Sequence, residues 1–171
     1  MTSAGAPDAP GQPASARERR TGWLLVLGQF FLLALIVLLP TGNAWTVPPG
    51  LARAGQIGVW LGIGIMVIAA PTLGRGLTAT PVPNEHARLR TSGMYRFVRH
   101  PIYSGLLLFA LARTVASGNL WTATACLALV VLINAKARWE ESRLVQRFPD
   151  YGAYSRRTPR FVPRPMRRSG P

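Results

Sequence analysis

Long uncharged, mostly apolar segments dominate the pattern of this sequence. No Asp, Glu, Lys or Arg occurs at residues 21–52, 54–74 or 114–135. Runs of about 18 or more such residues are long enough to cross a ~30 Å hydrocarbon core as a helix. The pattern predicts a first membrane span at residues 23–39, which ends at the helix-breaking stretch 40–43, and a second span at residues 54–73.

The third apolar region, residues 101–135, is too long for a single span. We predict a helical hairpin with arms at residues 102–116 and 120–135, turning at residues 117–119. The second span carries glycines that allow another helix to approach closely, namely Gly55, Gly58, Gly62 and Gly64. The sequence therefore predicts an all-α integral membrane protein with about four transmembrane helices. The last two form the hairpin, followed by a cytoplasmic C-terminal helix and tail.

Charge adds an orientation to this picture. The 171 residues include 20 basic and 6 acidic residues, a net charge of +14, and every basic residue except Lys136 is an arginine. Only Arg53 and Arg113 lie on the side of the spans opposite to the other basic residues. By the positive-inside rule, both termini and the loop 75–99 are expected in the cytoplasm. This predicts a multi-pass protein of the plasma (inner) membrane, with the lipid bilayer as its partner.

The same charge does not indicate nucleic-acid binding, which needs basic residues gathered on one face with interleaved aromatics. No nucleic-acid partner is expected. Cys126 is the single cysteine and His86 and His100 are the two histidines, so no metal site is predicted.

Residues 1–20, rich in Ala, Pro, Gly and Ser, predict a disordered N-terminal tail. Residues 21–165 are predicted to form the membrane domain, and residues 166–171 a C-terminal tail.

The first polar segment that can carry chemistry is residues 92–105, at the start of the hairpin. Pro101 fits the first turn of a helix, where its missing N–H is harmless. Arg99 and His100 then lie beside the unpaired amides of the helix N-terminus, a place suited to an anionic group. Tyr103 offers an aromatic plane and Gly105 close access to the backbone. An interfacial belt of Arg, His and Tyr anchors is the alternative explanation.

The second polar segment is residues 138–163, after the last apolar run. On a helix that continues to Phe148, Glu141 shares a face with apolar side chains, where a carboxylate is costly unless it has a partner. Glu140 points about 100° away and can serve the same pocket from its edge. The alternative is a surface ion pair between Glu140 and Arg143, which explains one of the two glutamates.

These two segments, in this order around a helical hairpin, resemble the C-terminal half of the isoprenylcysteine carboxyl methyltransferase family and its phospholipid methyltransferase relatives. Those proteins are integral membrane enzymes that use S-adenosylmethionine. The resemblance covers residues 92–163. The positions that carry it are Gly93, Tyr95, Arg99, His100, Pro101, Tyr103, Gly105, Glu140, Glu141, Leu144, Phe148, Tyr151, Tyr154, Arg157, Pro159 and Pro163.

The resemblance implies a membrane methyltransferase with a site for S-adenosylmethionine. Carboxylates can accept hydrogen bonds from the cofactor's ammonium or ribose hydroxyls. Tyrosine rings can stack on its adenine or contact its cationic sulfur. The implied catalytic residues are Glu141 and Arg157, a guanidinium suited to an acceptor carboxylate. A lipophilic or lipidated acceptor is expected to enter from the bilayer. The implied cofactor-binding residues are Arg99, His100, Pro101, Tyr103, Gly105, Glu140, Glu141, Tyr151 and Tyr154.

Two other functions remain open from the sequence. NADPH-dependent sterol reductases of membranes resemble the same C-terminal region, but their Arg-Asp-Glu and Lys-Tyr-Gly signatures are missing here. A non-catalytic membrane scaffold would keep the fold without turnover. The intact His100, Glu140 and Glu141 favour an enzyme.

Overall fold

The computed structural model describes residues 15–73 and 89–163, and all regular secondary structure within these residues is helical. This confirms the predicted all-α class. The elements in chain order are α1 (Ala16–Leu38), α2 (Pro49–Leu73), a 3-10 helix (Gly93–Arg96), α3 (Pro101–Ser117), α4 (Leu120–Arg147) and α5 (Tyr151–Arg157).

Among the described helices, α1, α2 and α4 are long and apolar enough to cross a membrane. They correspond to the two predicted spans and to the second arm of the predicted hairpin. The first arm, α3, is apolar but has 17 residues. At a rise of about 1.5 Å per residue it reaches about 26 Å, slightly less than a ~30 Å hydrocarbon core. The fourth crossing and the orientation therefore stay predictions.

The first helix begins earlier than predicted. The Ser15 hydroxyl accepts a hydrogen bond from the Glu18 amide at 3.2 Å, and the Glu18 carboxylate accepts one from the Ser15 amide at 2.8 Å. This reciprocal capping box starts α1 at Ala16, so the predicted disordered tail is wrong for residues 16–20. Residues 1–14, the predicted tail 166–171, and the loop positions Arg75, His86 and Arg88 lie outside the described residues.

Glycines bring α2 into close contact with α3. A Cβ added at Gly55, Gly58 or Gly62 would lie 2.6–2.7 Å from atoms of α3, nearer than real Cβ contacts. At Gly62 the obstacle is the carbonyl oxygen of Gly105. Gly64 lies on another face of α2, with open space around an added Cβ. The predicted close approach is therefore confirmed at three of the four glycines, and small residues set the distance between these helices.

The loop after α1 binds the turn between α3 and α4. Gly118, with φ of 60°, ends α3 in the left-handed conformation that glycine adopts without strain. The Gly42 amide donates to the Ser117 carbonyl at 2.8 Å, and the Ala44 amide donates to the Gly118 carbonyl at 2.9 Å. The turn predicted at residues 117–119 is confirmed, and these contacts close the end of the bundle opposite to residues 99–101.

Most of the remaining packing joins α4 to α1 and α3 to α4, and smaller contacts join α1 to α3 and α4 to α5. The buried core consists of Ile36, Leu106, Ala110, Ala125, Cys126, Leu129 and Ile133. Large apolar side chains such as Trp23, Phe31, Trp60 and Leu127 point outward. Such an apolar exterior suits the hydrocarbon of a bilayer, in agreement with the membrane-protein prediction.

Gly62→Ala is expected to lower the free energy of unfolding by about 1–3 kcal/mol, because the new methyl group would overlap the Gly105 carbonyl. The measurement is chemical unfolding of the purified protein in detergent micelles. Gly64→Ala makes the same change on the same helix, where the added methyl group has space, and serves as the control. Equal stability of the two variants would contradict the close packing of α2 on α3.

Candidate active site

The start of α3 is held against the C-terminal segment. His100 directly precedes the helix, whose first residue is Pro101. The Arg99 amide donates to the Pro159 carbonyl at 2.9 Å, and the His100 amide donates to the Arg160 carbonyl at 3.1 Å. These backbone hydrogen bonds place residues 159–160 alongside residues 99–100. The segment after α5 thereby becomes one side of the site.

Glu141, near the end of α4, is the centre of a buried polar cluster. Its Oε1 lies 3.0 Å from both His100 Nε2 and Arg160 Nε, and its Oε2 lies 2.6 Å from Arg160 Nη2. Arg99 Nη2 is 3.5 Å from Oε1, and the Glu141 side chain is 11% exposed. The hydrogen bonds from Arg160 to Glu141 raise the pKa of the Arg160 guanidinium, so this group stays charged. An ionised carboxylate only accepts hydrogen bonds, so the contact between Glu141 and His100 Nε2 requires the tautomer with the proton on that nitrogen.

Glu140 has a more open environment than Glu141. Its Oε2 accepts a hydrogen bond from the Tyr103 hydroxyl at 3.1 Å and lies 3.8 Å from His100 Nδ1. The Tyr103 ring stacks on the His100 ring, with centroids 5.3 Å apart and planes 12° from parallel. The Glu140 side chain is 28% exposed. The two adjacent glutamates therefore differ: Glu141 is bound by several protein donors, whereas Glu140 is accessible from outside the cluster.

Arg143 does not pair with Glu140. Its Nη2 lies 2.6 Å from the Glu18 carboxylate of α1, and its guanidinium stacks over the Trp139 ring at 3.4 Å. The interpretation of Glu140 as the surface partner of Arg143 is therefore wrong. The reason is that Arg143 faces α1, where helix capping has already placed an acidic side chain.

The two tyrosines of α5 lie beside the cluster, Tyr151 buried and Tyr154 part-buried. The Tyr154 hydroxyl donates to the Tyr95 carbonyl at 2.5 Å, and its ring meets the Tyr151 ring edge-on. Burial raises the pKa of Tyr151 and raises that of Tyr154 to about 12, so both hydroxyls keep their protons at neutral pH. Within residues 15–73 and 89–163, the buried Tyr151 hydroxyl and Arg99 Nε have no hydrogen-bond partner. Unpaired buried polar atoms are rare and call for an explanation such as a ligand.

Gly105 and Arg157 lie outside this network. A Cβ at Gly105 would be 2.6 Å from the Gly62 carbonyl oxygen, so the missing side chain serves the contact with α2. Arg157 is exposed and lines a cleft of about 300 Å³ together with Arg96 and Tyr154. In the described part of the chain, no hydrogen bond or ion pair joins Arg157 to either glutamate. The structure thus brings together Arg99, His100, Pro101, Tyr103, Glu140, Glu141, Tyr151 and Tyr154, but not Gly105 or Arg157.

Sequence reasoning misses three polar residues of this region: Arg160, Lys136 and Gln29. Arg160 follows Pro159, and no spacing rule distinguishes it from Arg157 as the partner of a distant glutamate. Lys136, which is 3% exposed, donates from Nζ to Gln29 Oε1 at 2.8 Å. A signal for Lys136 was present, since it is the single lysine and directly follows an apolar run.

The profile of the phospholipid methyltransferase family matches residues 51–151, which is more than half of the chain. The chain belongs to this family. The match runs from α2 to the start of α5 and includes His100, Tyr103, Glu140 and Glu141. It leaves out α1 and Arg160. The resemblance found in the sequence motifs is thereby confirmed.

Three curated proteins are similar to this phospholipid methyltransferase family member. The cobalt-zinc-cadmium resistance protein CzcN of Cupriavidus metallidurans is 34% identical over 150 residues, which are 86% of this chain and 65% of that protein. The nickel-cobalt-cadmium resistance protein NccN of Alcaligenes xylosoxydans xylosoxydans is 32% identical over 107 residues, 61% of this chain and 50% of that protein. Protein-S-isoprenylcysteine O-methyltransferase B of Arabidopsis thaliana is 37% identical over 81 residues, 46% of this chain and 41% of that protein. The chain therefore spans less than two thirds of the length of each.

Glu141→Gln is expected to lower the free energy of unfolding by about 3 kcal/mol, because the part-buried guanidinium groups of Arg99 and Arg160 lose the buried carboxylate that is their counter-charge. Glu140→Gln is the matched control: it makes the same chemical change one residue away, at a more exposed carboxylate. We expect that variant to stay within about 1 kcal/mol of the wild type. Urea unfolding in detergent measures both. Equal losses would contradict the central position of Glu141.

Proposed function

We propose that this member of the phospholipid methyltransferase family transfers a methyl group from S-adenosylmethionine to a lipophilic or amphiphilic acceptor. The observation that carries the proposal is the polar cluster around Glu140 and Glu141 at one end of an apolar helix bundle. Ionisable groups in such a setting are costly and usually serve binding or chemistry. The similarity to an isoprenylcysteine O-methyltransferase supports the reaction class.

The chemistry of the cluster fits S-adenosylmethionine. The unpaired Nε of Arg99 can donate to the carboxylate of the cofactor, and the accessible Glu140 can accept from its ammonium or ribose hydroxyls. The protonated Tyr151 hydroxyl is a further unpaired donor, and the Tyr103 and Tyr154 rings suit adenine or the sulfonium. The proposed cofactor-binding residues are Arg99, His100, Pro101, Tyr103, Glu140, Tyr151 and Tyr154.

Glu141 and Gly105 act indirectly in the proposed site, because each positions other residues that would contact the cofactor. Hydrogen bonds from His100 and Arg160 occupy both oxygens of Glu141. We assign Glu141 the task of holding Arg99 and His100 in place. Gly105 keeps α3 close to α2 and so sets the position of the first turns of α3.

When bound, S-adenosylmethionine supplies an electrophilic methyl group. Methyl transfer is an in-line displacement, so much of its acceleration comes from holding acceptor and donor close and collinear. In the proposed site the polar wall orients the donor, and the apolar exterior of the bundle admits a lipophilic acceptor from the bilayer. A carboxylate acceptor is nucleophilic once ionised, whereas an amine or hydroxyl must lose a proton. We propose a carboxylate, oriented by the exposed guanidinium of Arg157.

The purified protein in detergent is expected to bind S-adenosylmethionine in titration calorimetry. Glu140→Gln is expected to raise the Kd about 10- to 100-fold, the equivalent of one charged hydrogen bond of ~1.5–3 kcal/mol. Ser142→Ala, an exposed change two residues away on the same helix, is the control.

The alternative functions give different outcomes in the same experiment. Binding of NADPH in place of S-adenosylmethionine would favour a reductase, and binding of neither would favour a scaffold. Wild-type affinity in Glu140→Gln would contradict the role of that carboxylate.

The acceptor proposal is tested by the turnover of Arg157→Lys with labelled S-adenosylmethionine and membrane lipid extracts. We expect turnover to fall about tenfold, because an ammonium is a point charge and lacks the bidentate fork of a guanidinium. Arg156→Lys, at the exposed neighbouring position of α5, is the matched control. Equal turnover of the two variants would contradict a carboxylate oriented by Arg157.

A further inference from the structure

Lys136 is a buried cation whose buried neighbours on α4 are apolar. It is 3% exposed and lies on α4 between the buried Ile133 and Ala137. A buried ammonium is costly unless it is paired and hydrogen-bonded. In the helices of a membrane protein, such a group indicates a function by default.

One hydrogen-bond partner of Lys136 comes from α1. Its Nζ donates to Gln29 Oε1 at 2.8 Å. Gln29 is the one amide or charged side chain of α1 between Trp23 and Leu38. The family match begins at residue 51, so α1 lies outside it. A helix outside the matched region thus supplies a polar group to the helix that carries both glutamates.

Lys136 also contacts the wall of the proposed cofactor site. Its Nζ lies 5.4 Å from the centroid of the Tyr103 ring, a cation–π distance. The same ring stacks on His100, and its hydroxyl donates to Glu140. Glu140 follows Lys136 by one helical turn, and its negative charge acts on the ammonium. Lys136 therefore acts on both Tyr103 and Glu140.

We propose that Lys136, held by Gln29, is a positioning residue that fixes Tyr103 and Glu140 for cofactor binding. This inference rests on the proposed function. Stability alone gives no reason for a lysine here, because replacing both partners of a buried polar pair by apolar groups of similar shape is close to neutral or stabilising. Through the hydrogen bond between Gln29 and Lys136, α1 contributes to the proposed site.

The double variant Gln29→Leu/Lys136→Met tests the proposal, since it replaces both members of the Lys136–Gln29 hydrogen bond by apolar side chains of similar size. We expect its unfolding temperature in detergent to equal or exceed that of the wild type. Its Kd for S-adenosylmethionine in calorimetry is expected to rise about tenfold. Lys136→Arg, which keeps the cation, is expected to retain most of the affinity. Gln29→Leu alone is expected to raise the Kd about threefold.

Asn134→Leu is the matched control, because Asn134 is a part-buried amide on the same helix that donates only within it, to the Val130 carbonyl. We expect it to leave affinity unchanged. Unchanged affinity in the double variant would overturn the positioning role. Failure of the double variant to fold would also overturn it, as would a loss of affinity in Asn134→Leu equal to that in the double variant. If the wild type and Glu140→Gln behave as proposed, such a result overturns this inference alone. Failure of the wild type to bind the cofactor overturns the proposed function as well.

Discussion

Two guanidinium groups and one imidazole converge on the buried carboxylate of Glu141, and three parts of the chain meet there: the end of α4, the start of α3 and the segment after α5. An ionised carboxylate in a low-dielectric setting is stable only when its lone pairs are satisfied. The cluster meets that condition with His100 and Arg160, supported by Arg99. The places of Tyr103 and Glu140 follow from it, because Tyr103 is one turn along α3 from His100, and Glu140 precedes Glu141.

In the proposed site the two adjacent glutamates have different tasks. Glu141 uses both oxygens for protein donors and so organises the cluster. Glu140, with a greater exposed fraction, is the carboxylate that a ligand can reach. The helix bundle supports this arrangement from two sides, since the glycine contacts fix α3 against α2 and the polar contacts of Gln29 and Glu18 fix α1 against α4. An apolar exterior around one polar end is the form that the proposed reaction between a polar cofactor and a lipophilic acceptor requires.

Much of this molecule could be predicted from sequence patterns that act locally. The lengths of the apolar runs predict the long helices, the sequence around Gly118 predicts the turn, and the apolar face around Glu141 predicts that it needs a partner. The identity of that partner could not be predicted. Arg157 and Arg160 are chemically alike, and the path of the chain after α5 decides that Arg160 reaches Glu141. The contact of Lys136 with Gln29 joins residues 107 positions apart, which no local pattern reports. The early start of α1 depends on the side chains of Ser15 and Glu18, a short signal within a segment whose composition indicates disorder.

The most direct test of the account is ultraviolet cross-linking of methyl-labelled S-adenosylmethionine to the purified protein, followed by mapping of the labelled peptide. The account predicts that label is incorporated within residues 99–105 or 136–154, and that excess unlabelled cofactor prevents this. Label confined to residues 40–47 or 113–122, at the opposite end of the bundle, would contradict it. Label that unlabelled cofactor does not displace would contradict it equally.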